Sequence, residues 1–169
     1  MDIKLATIKD ATIIHDLMMR AFSEYKTMTA SSTALDETVE TVTEALLGGE
    51  QAMLCYIDDV PCATVRFEVK SDAIYFFRLS VAPEYQRRGL ARALLVALES
   101  HALELGLSKI QCRVRMNVEK NMKLYKSIGY KQYNQSIFEI DGIELDVAWM
   151  EKVVVPINQE TGHLPAMNA

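Results

Sequence analysis

The sequence predicts an α/β (α+β) fold, a central twisted mixed β-sheet flanked by helices, from three observations. First, residues 51–81 contain three runs rich in apolar, aromatic and β-branched residues, "QAMLCYI", "CATVRFEV" and "AIYFFRLSV", parted by the polar turns "DDVP" and Ser71-Asp72. Such runs with short turns between them read as antiparallel strands. Second, the last of these runs is followed by a helical pattern and then by the alternating run "KIQCRVR". A strand, helix, strand unit requires a parallel pair, so the sheet is mixed. Third, apolar residues recur at helical spacing in several segments between the strands.

The elements follow in order. "DIKLATI" is a short strand, and Asp10 caps a helix whose Ile13, Ile14, Leu17, Met18, Ala21 and Phe22 form one apolar stripe. The polar segment "SEYKTMTASSTALDE" is a loop, and Leu35, Val39, Val42 and Leu46 before Gly48-Gly49 mark a second helix with a glycine stop. After the three strands comes a helix from about Gly89 to Leu105, with Leu90, Leu94, Leu98 and Leu105 on one side and Gly106 as its stop. In "KIQCRVR", Ile110, Cys112 and Val114 form the buried face, and Lys109, Gln111, Arg113 and Arg115 the other. "NVEKNMKLYKSIGY" is a short helix ending at Gly129. Two further strands are expected at about Lys131 to Ile137 and Glu144 to Met150, the second with Leu145, Val147 and Trp149 on one face. Residues 1–152 thus read as a single domain, and residues 153–169, with Pro156, Gly162 and Pro165, as a mobile C-terminal tail.

Composition narrows the function. The 169 residues are 50% hydrophobic, enough for one two-layer core, and carry a formal net charge of −5. That balance argues against general affinity for nucleic acid or an anionic membrane surface. Cys55, Cys62 and Cys112 lie in apolar runs without CxxC pairing, so a disulfide framework and a zinc site are not expected. His15, His101 and His163 are scattered, and no metal site is expected. With no signal-peptide pattern and no apolar run of membrane length, the chain reads as a cytoplasmic protein.

Against this acidic background, Gln86-Arg87-Arg88-Gly89-Leu90-Ala91 stands out. It follows a strand and opens a helix, and Arg87, Arg88 and Arg92 crowd the helix end whose dipole repels cations. A bound anion resolves the conflict: unpaired N–H groups at a helix start cradle phosphate, and Gly89 permits close approach. The alternative is a charged turn facing water. Neither a P-loop Gly-Lys-Ser/Thr nor a GxGxxG fingerprint is present.

The run from Leu79 to Tyr130 resembles the acyl-CoA-binding heart of the GNAT superfamily of N-acyltransferases. Gln86, Gly89 and Ala91 match its Gln/Arg-x-x-Gly-x-Gly/Ala turn, and Leu124, Tyr125, Gly129 and Tyr130 match its Leu-Tyr-x-x-x-Gly-Phe/Tyr ending. The resemblance implies acetyl-CoA as co-substrate, with its pyrophosphate on Arg87, Arg88, Gly89, Leu90 and Ala91 beside Gln86. It implies that the pantetheine arm pairs with the backbone of Leu79, Ser80 and Val81, as an added strand would. It makes Tyr125 the catalytic residue, a general acid for the departing thiolate; the alternative is a core tyrosine sharing a face with Met122 and Ile128. Asn117 is a candidate pantetheine ligand or a helix cap. It lies one residue farther from Tyr125 than the family's usual spacing, and Asn121 lies closer.

The pattern departs from the family in one respect: Ile74-Tyr75-Phe76-Phe77-Arg78 lacks the carboxylate that many members use as the base. Glu68, Glu24 and a water relay are the alternatives. Cys112 belongs to the core face and is not expected to act as a nucleophile. The implied function is direct acetyl transfer to a primary amine of a small molecule or peptide, by a monomer or homodimer. An acidic protein suits a cationic amine or polyamine, although a solvated acidic surface explains the same charge. The rivals are a non-catalytic acyl-CoA-binding regulatory module and a nucleotide-phosphate binder of another fold.

Overall fold

Two helical layers enclose one sheet because successive strand residues send their side chains to opposite faces. The computed structural model describes residues 1–27 and 32–155. Within them lie β1 (Asp2–Leu5), α1 (Ala11–Phe22), α2 (Val39–Leu47), β2 (Gln51–Ile57), β3 (Val60–Val69), β4 (Ala73–Val81), α3 (Leu90–Glu104), β5 (Lys109–Arg115), α4 (Glu119–Ser127), β6 (Lys131–Ile140) and β7 (Ile143–Val153). The seven strands form one sheet in the order β1-β2-β3-β4-β5-β7-β6. The β4–β5 pair is parallel and the others are antiparallel. This is the mixed sheet with flanking helices that the sequence predicts.

On one face, Ala52 and Leu54 of β2 pack with Ile14, Leu17 and Met18 of α1 and Val42 of α2. On the other, Met53, Val65, Phe67, Ile74 and Phe76 meet Leu90, Leu94, Leu95 and Leu98 of α3. Each such side chain removed fully from water contributes roughly 1.5–3 kcal/mol.

Polar groups set the boundaries. Asp10 stands at the start of α1 as expected, but its carboxylate makes no cap bond to the helix and instead accepts from the Thr7 N–H at 2.7 Å. Thr38 caps α2, accepting from the Thr41 N–H at 3.2 Å. The helix therefore starts after Leu35, which sits in a 3-10 turn, Thr33–Asp36, instead of the predicted helical stripe. Leu105 also departs from its predicted stripe: it is 48% exposed at the end of α3, while Leu95 and Ala102 are fully buried. The stripe rotates with a 3.6-residue period, and Leu105 lies past the helix's last buried turn.

The β6–β7 hairpin is longer than predicted. Its turn is Asp141-Gly142, with φ 52° and 76°, a two-residue geometry that prolongs strand pairing up to Ile140↔Ile143. At the other end, β7 continues through Val153, and the buried Val154 donates its N–H to Ser108 O at 2.9 Å. The sheet thus extends past the predicted boundary at residue 152. The rest of the predicted tail, 156–169 with His163, lies outside the described residues. Among the described residues no helix is long and apolar enough to cross a membrane.

Candidate active site

A bulge in the middle of the sheet borders the site. Between the pairs Arg66↔Phe77 and Thr64↔Ser80, β4 carries one residue more than β3, and Arg78 takes the left-handed conformation with φ 54°. Left-handed backbone at a non-glycine residue costs of order 1–3 kcal/mol and persists only where surrounding contacts impose it. Here they do. Arg78 Nε donates to Glu37 Oε2 at 3.0 Å and Nη2 to Thr33 Oγ1 at 3.1 Å. Burial pulls the Arg78 pKa below its ordinary value despite the Glu37 carboxylate.

Glu37 is shared with a second arginine. Arg66, 2% exposed, donates to Glu37 Oε1 at 2.7 Å, pairs through Nε with Glu50 Oε1, and reaches Glu50 Oε2 at 3.0 Å through Nη2. Burial alone would weaken its charge, but the hydrogen bonds to Glu50 and Glu37 outweigh that and raise its pKa. This network ties the segment after α1 to β3 and β4, beneath one wall of the site.

β4 leaves β5 after Tyr75↔Gln111, so the two parallel strands splay apart. The gap is part of a cleft of about 730 Å³. Leu79 and Val81 of β4, Val114 of β5, Gln86, Arg87, Gly89, Leu90 and Ala91 of the turn, and Tyr125 of α4 all line it. The turn itself is open to solvent. Arg87 and Gly89 both have positive φ, 61° and 80°, flanking Arg88, a concave backbone suited to anions. A Cβ on Gly89 would meet nothing within 4 Å, so the glycine is required by its dihedral angle alone.

Tyr125 is 7% exposed and stacks edge to face with Phe76 and Tyr130. Burial, with smaller effects of Cys112, Tyr130 and Tyr25, raises its pKa well above 10.0. It is a neutral phenol at physiological pH, able to donate a proton but not to serve as a base. Cys112 also lines the cleft, and burial pushes its thiol pKa up, which keeps it from being a thiolate nucleophile.

The other expected residues divide between the cleft lining and positions outside it. Ser80 is buried away from the cleft, its hydroxyl donating to Arg78 O at 2.9 Å. Arg88 lies over the Tyr85 ring at 5.1 Å. Arg92 lines the cleft and donates to Ser127 Oγ at 3.3 Å, linking α3 to α4. Asn117 borders a separate shallow recess with Glu24 and Lys120, and α4 is preceded by Val118, so Asn117 caps nothing. Asn121 lines the main cleft and donates to the Tyr25 hydroxyl at 3.3 Å. Of the candidate bases, Glu24 lines the cleft and pairs with Lys120 at 2.6 Å, whereas Glu68 pairs with Lys70 outside the lining.

Sequence reasoning missed the wall facing α1. Tyr75, Phe77, Arg113, Arg115, Phe138 and Glu139 line the cleft there. The alternation of "KIQCRVR" separated Arg113 and Arg115 from the core face, but nothing local distinguished a cleft wall from a solvated one.

A strand-splay cleft that brings a glycine turn of positive φ and a buried phenol together is the arrangement that the resemblance to N-acyltransferases implies. The sequence profile of the "Acetyltransferase (GNAT) family" matches residues 13–130, and the chain belongs to that family. The [ribosomal protein bS18]-alanine N-acetyltransferase of Escherichia coli K12 is 34% identical over 65 residues, covering 38% of this chain and 44% of that protein. The match thus spans less than half of that relative's length. A probable acetyltransferase from Staphylococcus epidermidis superposes with a TM-score of 0.77 at 14% identity, covering 91% of this chain and 99% of that one. A putative acetyltransferase from Salmonella typhimurium, solved with its cofactor acetyl-CoA, does so with 0.70 at 18% identity, covering 99% of each. These structures share the fold.

Proposed function

We propose that the chain is an N-acetyltransferase that moves an acetyl group from acetyl-CoA directly to a primary amine. One observation carries this reading: the glycine turn and Tyr125, distant in sequence, line a single cleft. The residues present fit the co-substrate. Backbone N–H groups of Arg87, Gly89, Leu90 and Ala91 would hold the pyrophosphate, assisted by the Arg87 and Arg92 side chains. The backbone of Leu79 and Val81, beyond the last β4–β5 pair, would pair with the pantetheine arm.

Acetyl-CoA supplies a thioester carbonyl carbon, to which the amine nitrogen bonds as the C–S bond breaks. Tyr125 donates its phenolic proton to the departing sulfur and recovers one from solvent. The amine loses its proton to water or to a cleft carboxylate, Glu24 being one within the lining. Acceptor amines are held against the α1-facing wall, and peptide amines enter consideration because the Escherichia coli relative is named for acetylating a ribosomal-protein alanine.

The test is acetyl-CoA turnover over a panel of primary amines, read by thiol release and by the mass of the acetylated product. Calorimetric CoA binding with no turnover of any amine would instead establish a regulatory acyl-CoA-binding module.

A further inference from the structure

The acceptor wall gathers more cationic than acidic side chains, unlike the whole chain. The protein has a net charge of −5, yet the described lining away from the glycine turn includes Arg78, Arg113, Arg115 and Lys120 against Glu24 and Glu139. Lys120 is paired with Glu24, and Arg78 with Glu37. β5 alternation sets Arg113 and Arg115 on one face, about 7 Å apart along the strand, just past the point where β4 departs.

Arg113 is held in an unusual way. Its Nε donates to the Tyr75 hydroxyl at 2.6 Å, and its guanidinium carbon lies 5.0 Å from the Phe138 ring centroid, 5.1 Å from Trp149 and 5.7 Å from Tyr75. Trp149 is itself fixed, its Nε1 donating to Ser136 Oγ at 2.7 Å. Among the described residues no carboxylate lies within ion-pairing distance of Arg113, and its Nη atoms have no hydrogen-bond acceptor. Aromatic faces and one hydroxyl hold the guanidinium in place, and its terminal donors remain available for an oxyanion.

We propose that the acceptor carries a carboxylate and that Arg113 binds it: the substrate class is a free amino acid with an apolar side chain, whose amine is acetylated while its carboxylate is held by the arginine fork. A planar carboxylate matches the guanidinium edge in bidentate fashion, and the surrounding rings pack against an apolar side chain. A polyamine, which the chain's overall charge would favour, finds no counterion in Arg113. The inference rests on the proposed acetyl transfer and specifies its acceptor.

The test compares matched acceptors with saturating acetyl-CoA: phenylalanine, its amide, phenethylamine, phosphoethanolamine and spermidine. The amino acid is expected to exceed its amide in kcat/KM by roughly tenfold or more, the worth of a charge-assisted hydrogen bond. Arg113→Gln should collapse that ratio through a higher KM for the amino acid, and Arg113→Lys should restore part of it. Equal use of amino acid and amide by the wild type, or preference for spermidine or phosphoethanolamine, overturns the carboxylate assignment while leaving acetyl transfer standing. If no amine is acetylated, acetyl transfer fails. Thermal stabilisation of the CoA-loaded protein by phenylalanine but not its amide, abolished in Arg113→Gln, then still supports the anchor, and its absence overturns it.

Discussion

The Tyr125 ring meets Phe76 edge to face, with centroids 5.7 Å apart, so the phenol on α4 is braced by the strand that precedes the glycine turn. Phe76 sits in β4 next to Phe77 and the Arg78 bulge, so the same strand that opens the cleft supports the proposed acid. Tyr125→Phe keeps the ring contacts and removes only the hydroxyl. It should lower kcat by about 10²-fold or more, the usual contribution of a positioned proton donor, with CoA affinity near wild type. Steady-state kinetics and calorimetry together check this; unchanged kcat would remove Tyr125 from the chemistry.

Gly89 precedes α3 at φ 80° with open space around its missing side chain. Gly89→Ala introduces no clash, only the cost of a left-handed alanine, about 1–2 kcal/mol. Denaturant melts should show that loss in the absence of CoA. A variant as stable as the wild type would mean that the turn adopts another conformation, and its CoA affinity should then drop.

The buried Arg66 has two carboxylate partners, and Glu50 is the more enclosed of them. Glu50→Ala leaves a buried cation short of countercharge, at an expected cost of about 3–5 kcal/mol in urea unfolding. Glu37→Gln should cost less stability, because Glu37 is more exposed. It should also raise the acceptor KM, because it loosens the link between Arg78 and the segment carrying Thr33.

Alkaline pH should weaken the fold. Burial raises the pKa of Cys55 to about 12, with Cys62 adding to the effect, and raises those of Cys112, Tyr125 and Tyr130. Each of these groups is neutral when protonated, and the folded state holds its proton at pH values where the unfolded chain has lost it. Their contribution is therefore complete below the unfolded values, near 8.5 for cysteine and 10 for tyrosine, and falls as pH rises through them toward the folded values. Urea midpoints should decline steadily above about pH 9. A flat profile to pH 11 would contradict the burial of these groups.

The local signals in the chain were strong where the structure depends on near neighbours. The alternation in "KIQCRVR" identified the face that packs inward as Cys112 and Val114, and the residues around Gly89 marked a turn whose positive φ no other residue type adopts cheaply. The order of elements along the chain, the parallel β4–β5 pair and the start of α3 follow from periods of 2 and 3.6 residues and from the need for a crossover, whereas the place of β7 between β5 and β6 does not. The first three are readable along a single strand of text.

Register and distance between remote segments were decided only on folding. The Arg78 bulge depends on how β3 pairs with β4, and the splay on where β4 stops pairing with β5. The cationic wall depends on the β6–β7 hairpin bringing Phe138 and Trp149 to Arg113. A residue on a half-exposed strand face has the same local pattern whether water or a substrate covers it. Which one does is set by contacts between residues far apart in the chain, and these exist only in the packed sheet.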